Sequence, residues 1–302
     1  MSRRALLGGV AGVAATYAAR DACAAEPIVR APVVYLSHAA PIFAINDPAR
    51  IAELTAWGSK LPRPTGILAI TPHYASRRLE VGATGRGVAM YDLPEQFARR
   101  IPRGLDYPTP PSEALAQRVE ALLAARAATA RGERNGFDHT TWMPLKCLFP
   151  QADVPVLELA YPYVSESEAL AIGRELSPLR DEGVLVFASG GMTHNLASFD
   201  GVANGAPPPR WSVEFDAWAS ETLAAGEVDA LVDWRHKAPA WNLAHPDDGA
   251  HFRVMLLALG AALGTGASPR VTFPVTGFEG TMSKRSVEFS IDAPDVTPRQ
   301  DG

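Results

Sequence analysis

Four short apolar runs are the clearest pattern along the chain. They cover residues 33–36, 66–70, 154–159 and 183–188. Each run is almost continuously apolar rather than alternating, which is typical of strands covered on both faces. Helical spacing of apolar positions occurs between and after these runs, over residues 47–60, 111–130, 165–179, 211–225 and 248–263. Alternating strands and helices predict an α/β fold with a mainly parallel central sheet flanked by helices.

Local signals support these elements and give no sign of a second domain. Asp47 followed by Pro48 is typical of a helix start, and Ser165 with Glu168 predicts a capping box. Two later apolar runs, residues 270–275 and 285–291, are candidates for additional edge strands. No linker divides the body of the chain, so we expect residues 26–302 to form a single domain.

The first 25 residues have a different character from the rest. Ser2, Arg3 and Arg4 precede a weakly apolar, small-residue stretch that ends before Glu26. This pattern predicts an export signal over residues 1–25, of the twin-arginine kind, and therefore a periplasmic or exported mature chain. The alternative is a first helix of the domain and a cytoplasmic protein. Glycines at positions 8, 9 and 12 weaken that alternative.

Composition narrows the possible functions. The 302 residues are 47% hydrophobic and 20% charged, with a formal net charge of -5. These are values of an ordinary globular enzyme or binding domain. No basic run is present, which argues against a nucleic-acid partner. The body also lacks the roughly 18 continuous apolar residues of a membrane span, and the pattern leaves the oligomeric state open.

The placement of the histidines is the main chemical signal. Seven occur, and three of them, His38, His73 and His194, follow closely after separate predicted strands. The carboxyl ends of parallel strands meet at one edge of an α/β sheet, where ligands bind. Imidazole is a frequent ligand of iron, zinc and copper and also transfers protons near neutral pH. The sequence therefore predicts a metal site at the carboxyl ends of the strands.

The remaining four histidines are placed less clearly. His245 precedes a proline, which holds it in an extended conformation suited to a ligand in a loop. His251 lies inside the following predicted helix, where packing or a role outside the ligand set is favoured. His139 is expected in a loop, where the adjacent Asp138 could orient a neighbouring imidazole. His236 stands between Arg and Lys, which predicts a solvated side chain with no role in the site.

Five segments together resemble the class III extradiol dioxygenases that share the LigB-type catalytic domain, in particular the branch that acts on DOPA. The segments are Leu-Ser-His-Ala-Ala-Pro at 36–41, Ile-Thr-Pro-His at 70–73, Gly-Phe-Asp-His-Thr-Thr-Trp-Met-Pro-Leu at 136–145, Gly-Gly-Met-Thr-His-Asn-Leu at 190–196 and Ala-His-Pro at 244–246. Their order and spacing extend from about residue 33 to residue 291. As a set they are specific, although each is weak alone.

The resemblance implies a role for each of five histidines. His38, His73 and His245 match the metal-ligand positions, His194 matches the catalytic acid and base, and His139 matches a substrate-pocket histidine. It further implies one divalent metal per chain, Fe(II) for turnover with Zn(II) possible in purified protein. The implied substrates are O2 and a small aromatic diol, whose ring opens beside the two hydroxyl groups.

The chain also departs from the family pattern. Ala39 and Ala40 replace the usual Gly-Ser, and Gly191-Met192 replaces a Ser-Ala pair. The segment after His245 is one residue longer and has Asp247-Asp248-Gly249-Ala250 in place of a glutamate-containing spacer. These departures bear most on the third metal ligand and on the choice of substrate.

Two other functions fit the same histidines. A zinc hydrolase could use a metal-bound hydroxide as its nucleophile, and oxygen consumption with a catechol would distinguish it from a dioxygenase. An exported metal-binding protein without catalytic activity would hold metal yet turn over no catechol or ester. The sequence has no nucleophile elbow, phosphate-binding loop or dinucleotide fingerprint, so hydrolases and nucleotide enzymes that depend on those motifs are disfavoured.

Overall fold

A computed structural model describes most of the chain. The described residues are 29–40, 46–93, 95–102, 104–199, 206–266 and 268–290. The predicted export signal at residues 1–25 and the tail after Asp292 lie outside them. Among the described residues, no helix combines the length and apolar character needed to cross a membrane.

An eight-stranded sheet forms the centre of the fold. In chain order the strands are β1 (Val33–Ser37), β2 (Gly66–Ile70), β3 (Glu80–Val81), β4 (Ala130–Arg131), β5 (Val156–Ala160), β6 (Val184–Gly190), β7 (Arg270–Val275), β8 (Phe278–Glu279), β9 (Met282–Ser283) and β10 (Ser286–Ser290). The sheet order is β4-β3-β5-β2-β6-β1-β10-β7, and β8 pairs with β9 in a separate hairpin. Strands β5, β2, β6 and β1 run parallel, so their carboxyl ends lie at one edge of the sheet.

Helices cover both faces of the sheet. They are α1 (Pro48–Gly58), α2 (Glu95–Ala98), α3 (Glu113–Leu123), α4 (His139–Leu148), α5 (Glu166–Leu176), α6 (Leu196–Phe199), α7 (Arg210–Ala225), α8 (Val228–Val232), α9 (Trp234–Lys237), α10 (Trp241–Ala244) and α11 (Ala250–Leu263). One apolar core includes α5 and α11 and lies on one face, and a second core includes α1 and α4. Every residue of the four parallel strands is buried, which explains their continuous apolar character.

The structure confirms the predicted fold class and refines several elements. The helix expected over 111–130 ends at Leu123, and the chain then enters the short strand β4. Of the two later runs expected at the edges, only the first, β7, is an edge strand, because β10 pairs with both β1 and β7. His139, expected in a loop, is the first residue of α4. Asp138 caps that helix by accepting hydrogen bonds from the backbone of Thr140 and Thr141, so its side chain is committed to the helix start.

Candidate metal centre and active site

Three histidines from distant parts of the chain converge at the carboxyl edge of the sheet. His38 follows β1, His73 follows β2, and His251 is in the first turn of α11. One ring nitrogen from each lies within 4.8 Å of the other two, and the Nε2 atoms of His73 and His251 are 3.3 Å apart. Three nitrogens bound to one ion at about 2.1 Å would lie roughly 3.0–3.4 Å apart. Small side-chain movements would therefore complete a three-imidazole site.

The backbone fixes the orientation of His38. Its Nδ1 lies 2.8 Å from the carbonyl oxygen of Ala39 and donates to it, which leaves Nε2 with its lone pair. That Nε2 is buried and has no hydrogen-bond partner. Ala39 itself has a φ of 51°, a left-handed conformation that favours glycine. The family's usual glycine at this position therefore has a conformational reason, and alanine is accommodated here with strain.

The surroundings keep the three imidazoles neutral. Desolvation by burial holds the pKa of His38 and of His251 well below the ordinary value, and the neighbouring histidines add to the effect. Packing around His73, whose ring edge remains open to a surface cleft, lowers its pKa to about 4, a shift that Asp138 opposes. Neutral imidazoles offer lone pairs to a cation at neutral pH. The unpartnered nitrogens and the convergent geometry thus fit a divalent metal with a preference for nitrogen ligands.

The sheet holds His251 through its backbone. The hydroxyl of Tyr35 in β1 donates to the His251 carbonyl oxygen at 3.1 Å, and the backbone N–H of Gly191 donates to it at 3.2 Å. Gly190, at the end of β6, comes so close that a Cβ at this position would lie 2.3 Å from the same oxygen. The first turn of α11 is therefore fixed against β1 and β6, the strands that precede His38 and His194.

His139 lies beside this cluster and is held by a carboxylate. Its ring packs edge-on against His73, with ring centroids 4.8 Å apart. Its Nδ1 lies 2.9 Å from Oδ1 of Asp92, and its backbone N–H donates to the same oxygen at 3.0 Å. Burial opposes ionisation of Asp92, but the hydrogen bonds from His139 outweigh this effect and lower the pKa of that carboxyl group. Nε2 is the ring nitrogen that remains for a ligand.

His194 has a similar partner on the other side of the cluster. Its Nδ1 lies 3.3 Å from Oδ2 of Asp247, a residue in the lengthened segment after His245. The same carboxylate accepts the backbone N–H of Gly249 at 2.9 Å. Gly249 takes a left-handed φ of 73° and is the N-cap of α11. The altered spacer thus forms a turn that supplies a carboxylate to His194.

His194, Asp247 and His251 form a second group with the donor atoms of a metal site, but its geometry is poor. The rings of His194 and His251 stack with centroids 3.4 Å apart and planes 10° apart. An imidazole binds a metal in the plane of its ring, and one ion cannot lie in two parallel planes that far apart. The first group, His38 with His73 and His251, is therefore the better metal site.

The structure places His245 apart from the three converging histidines. It is fully buried, and its ring packs against Phe215, Trp234 and Phe252. Its Nε2 donates to the carbonyl oxygen of Met192 at 3.0 Å. His251, for which the sequence favoured a packing role, occupies the position expected of His245. His236 is exposed on α9, as expected from its charged neighbours.

Buried carboxyl groups support the site from behind His73. Thr71 accepts the backbone N–H of His73 at 3.2 Å and donates to Asp138 at 2.8 Å. Glu158, in β5, accepts the backbone N–H of Asp138 at 3.1 Å. Desolvation and the nearby Asp138 carboxylate raise the pKa of Glu158 well above its ordinary value. These hydrogen bonds join β2, β5 and the start of α4 beside the ligands.

A cleft of about 380 Å³ opens beside the ligand cluster, a volume within the range of small-molecule sites. His73 and His251 line it together with Tyr161, Tyr163 and Arg253. Asp247 and Asp248 contribute to the same wall. The cleft therefore offers aromatic, cationic and anionic side chains within a short distance of the proposed metal ligands.

Comparison with known families agrees with this arrangement. Residues 32–282 match the family described as the catalytic LigB subunit of aromatic ring-opening dioxygenase. The match covers every strand of the eight-stranded sheet except β10, and it includes all three converging histidines. The chain belongs to this family, and it is an oxidoreductase of the ring-opening dioxygenase class. Members of the family depend on a metal, in agreement with the histidine cluster.

Particular relatives bear a more specific name. The chain is 33% identical over 268 residues to the 4,5-DOPA dioxygenase extradiol of Portulaca grandiflora, covering 85% of this chain and 94% of the relative. It is 32% identical over 274 residues to the protein of that name in Escherichia coli K12, covering 86% and 95%. The crystal structure of the uncharacterized protein JW3007 from Escherichia coli K12 superposes with a TM-score of 0.71 at 30% identity, covering 86% of this chain and 99% of that one.

Sequence reasoning missed two features of the site. It favoured packing or a role outside the ligand set for His251 because the residue lies within a helix, although the first turn of a helix at a sheet edge can face a site. Asp92 and Asp247 were not identified as partners of His139 and His194. Asp92 precedes His139 by 47 positions and stands in an irregular loop, so no local pattern distinguishes it from a solvated aspartate.

Proposed function

We propose that this protein is a metal-dependent extradiol dioxygenase that opens a catechol-type, DOPA-like ring with O2. The observation that carries the proposal is the convergence of His38, His73 and His251, two of which, His73 and His251, line a cleft. We therefore assign these three as the metal ligands, with His251 in the place that the sequence gave to His245. A redox-active ion such as Fe(II) would relay electrons from the diol to O2, which Zn(II) cannot do.

The side chains around the ligands account for substrate binding and proton transfer. We assign His194 as the group that accepts a diol proton and later returns it. We assign His139 to bind the substrate from the opposite side. Each has its Nδ1 on a carboxylate, Asp247 or Asp92, which leaves Nε2 to exchange a proton or accept a hydrogen bond. Tyr161 and Tyr163 provide aromatic surface at the cleft wall.

The charges in the cleft favour a substrate with an amino-acid side chain. The terminal guanidinium nitrogens of Arg253 lie 3.6 Å from Glu166 and 3.8 Å from Asp248, while its Nε has no hydrogen-bond partner. We assign this Nε to a substrate carboxylate. Asp247 and Asp248 can serve an ammonium group. A DOPA-like diol carries both charges, whereas catechol carries neither. A zinc hydrolase would use the same imidazoles, but no feature of the cleft favours an ester over a diol.

Anaerobic loading with Fe(II), followed by oxygen uptake with a diol panel, tests the proposal. We expect turnover and a yellow ring-opened product, with L-DOPA preferred over dopamine, dihydroxyphenylpropionate and catechol. His73→Ala and His251→Ala should lose iron and activity, while His236→Ala should retain both. Oxygen uptake with none of the diols by iron-loaded protein would refute the proposal. Full iron occupancy in His251→Ala would refute the ligand assignment.

We further propose that residues 1–25 direct the folded protein out of the cytoplasm. The support is the Ser-Arg-Arg pattern, the weakly apolar stretch and the small residues before Glu26. Mass spectrometry of protein recovered from the cell envelope should find a terminus near Glu26. An intact first segment on the active pool would contradict this proposal, and a variant with both arginines changed to lysine should remain in the cytoplasm.

A further inference from the structure

Asp92 is the only side chain that the structure shows on the ring Nδ1 of His139 among the described residues. Its Oδ1 takes both the ring nitrogen at 2.9 Å and the backbone N–H at 3.0 Å. We propose that Asp92 is a positioning residue, which fixes the proton of His139 on Nδ1 and so presents an unprotonated Nε2 to the substrate. This inference rests on the proposed function, in which His139 binds the diol.

The geometry holds the imidazole at two points. The backbone of His139 is fixed because Asp138 caps α4 immediately before it, with backbone hydrogen bonds of 2.7 and 3.0 Å. The ring is fixed separately through Asp92. Rotation about the side-chain bonds would break the hydrogen bond from Nδ1 to Oδ1. The ring therefore keeps its edge-on contact with the His73 ring, with the two ring centroids 4.8 Å apart.

The charge of Asp92 is itself anchored. Its second oxygen, Oδ2, lies 3.5 Å from the guanidinium of Arg134. Arg134 also donates to the carbonyl oxygen of His73 at 3.3 Å. This arrangement connects the carboxylate behind His139 with the backbone of a proposed metal ligand. Both oxygens of Asp92 are thereby engaged within the protein, which favours a positioning role over metal ligation.

A carboxylate that is hydrogen-bonded to one imidazole nitrogen determines which of the two ring nitrogens carries the proton. With Nδ1 protonated, Nε2 can only accept a hydrogen bond, and a diol hydroxyl is a suitable donor. With the other tautomer, Nε2 would donate to the hydroxyl oxygen and could no longer accept the hydroxyl hydrogen. The tautomer therefore decides whether His139 accepts a hydrogen bond from the diol or donates one to it.

The alternative is that Asp92 only anchors its loop. Asp106 provides a matched control, because its Oδ1 also accepts two hydrogen bonds, in this case from the backbone N–H groups of Ala89 and Tyr107, and neither comes from His139. Asp92→Ala and Asp106→Ala each remove one loop carboxylate. Asp92→Asn keeps an accepting oxygen and removes the charge.

The test uses the full chain loaded with Zn(II) and labelled with 15N histidine, in which NMR shifts of the ring nitrogens report the protonated atom. We expect Nδ1 of His139 to be protonated in wild type, in Asp92→Asn and in Asp106→Ala, and this tautomer to be lost in Asp92→Ala. In iron-loaded protein, Asp92→Ala should raise KM for the diol and lower kcat/KM about 10- to 100-fold, as for other groups outside the ligand set. Asp92→Asn should recover most of this loss, and metal content should not change.

An unchanged His139 tautomer in Asp92→Ala would overturn the proposal, and so would equal losses of kcat/KM in Asp92→Ala and Asp106→Ala. If the wild type turned over no diol, the proposed function would fail, while the NMR result would still decide whether Asp92 fixes the tautomer. The two failures are therefore distinguishable.

Discussion

Replacing Gly190 by alanine tests how the sheet positions His251 for metal binding. The added Cβ would lie 2.3 Å from the His251 carbonyl oxygen, 2.5 Å from a methyl group of Val254 and 3.0 Å from the ring of Tyr35. To reach ordinary contact, the carbonyl oxygen has to retreat by about 1 Å. Because the clash is with backbone, a change of side-chain rotamer cannot relieve it.

The displacement should affect stability and metal binding together. Overpacking of this kind typically costs about 1–3 kcal/mol of folding free energy. Metal-ligand distances tolerate only about 0.2 Å, so a shift of His251 of the size forced by Gly190→Ala should weaken zinc binding at least about 10-fold. If His251 is not a ligand, stability should fall while zinc affinity stays unchanged.

Two measurements separate these outcomes. Urea unfolding of metal-free protein gives the stability change, and competition with a chromophoric chelator gives zinc affinity. Gly191→Ala is the matched control, because its nearest contact would be the Thr193 carbonyl oxygen at 3.2 Å. If Gly190→Ala does not fold, Tyr35→Phe removes the hydroxyl that donates to the His251 carbonyl oxygen at 3.1 Å, and should weaken zinc binding by a smaller factor. Wild-type zinc affinity in folded Gly190→Ala would refute the reasoning.

Three further predictions concern single residues. Ala39→Gly should raise the stability by up to about 1 kcal/mol in thermal unfolding, because it relieves a left-handed alanine with a φ of 51°; a lower melting temperature would contradict this. Burial lowers the pKa of His245 from 6.5 to about 4 in the folded protein. Between these pH values, His245 therefore binds a proton in the unfolded chain and not in the folded protein. The metal-free protein should therefore lose stability as pH falls from 6.5 towards 4, by about 3 kcal/mol from this residue, and His245→Gln should flatten the urea-unfolding profile. His194→Gln should keep its metal and lose about 100- to 10,000-fold in oxygen uptake, and near-normal uptake would refute its catalytic role.

The architecture could be predicted because strands that are buried on both faces have continuously apolar sequences. Strands β1, β2, β5 and β6 are covered on both faces, and their continuous apolar character identified them and the parallel sheet. The two-residue strands β3 and β4 escaped detection, because such short segments have no periodicity and depend on tertiary pairing, of β3 with β5 and of β4 with β3. The order of the later strands also depends on tertiary pairing, which the sequence does not show.

The site was predictable only in part for a similar reason. His38 and His73 follow closely after buried strands, so the position of those strands places both histidines at the sheet edge. His245 and His251 are only six positions apart, and which of them faces the site depends on the turn formed by Asp247 and Gly249. That turn requires a left-handed glycine and a side-chain hydrogen bond, and neither is visible as a hydrophobic pattern.

The separation of the ligands along the chain has a consequence for folding. His73 and His251 face each other across 178 positions of sequence, so the three-imidazole site exists only after the first strands and the last long helix have come together. A bound ion would then act as a cross-link between the two ends of the domain. At a free concentration 1,000-fold above its dissociation constant, such an ion adds about 4 kcal/mol of stability. Loss of the ion would thus lower the melting temperature as well as abolish turnover, and heat resistance would serve as a direct measure of metal occupancy.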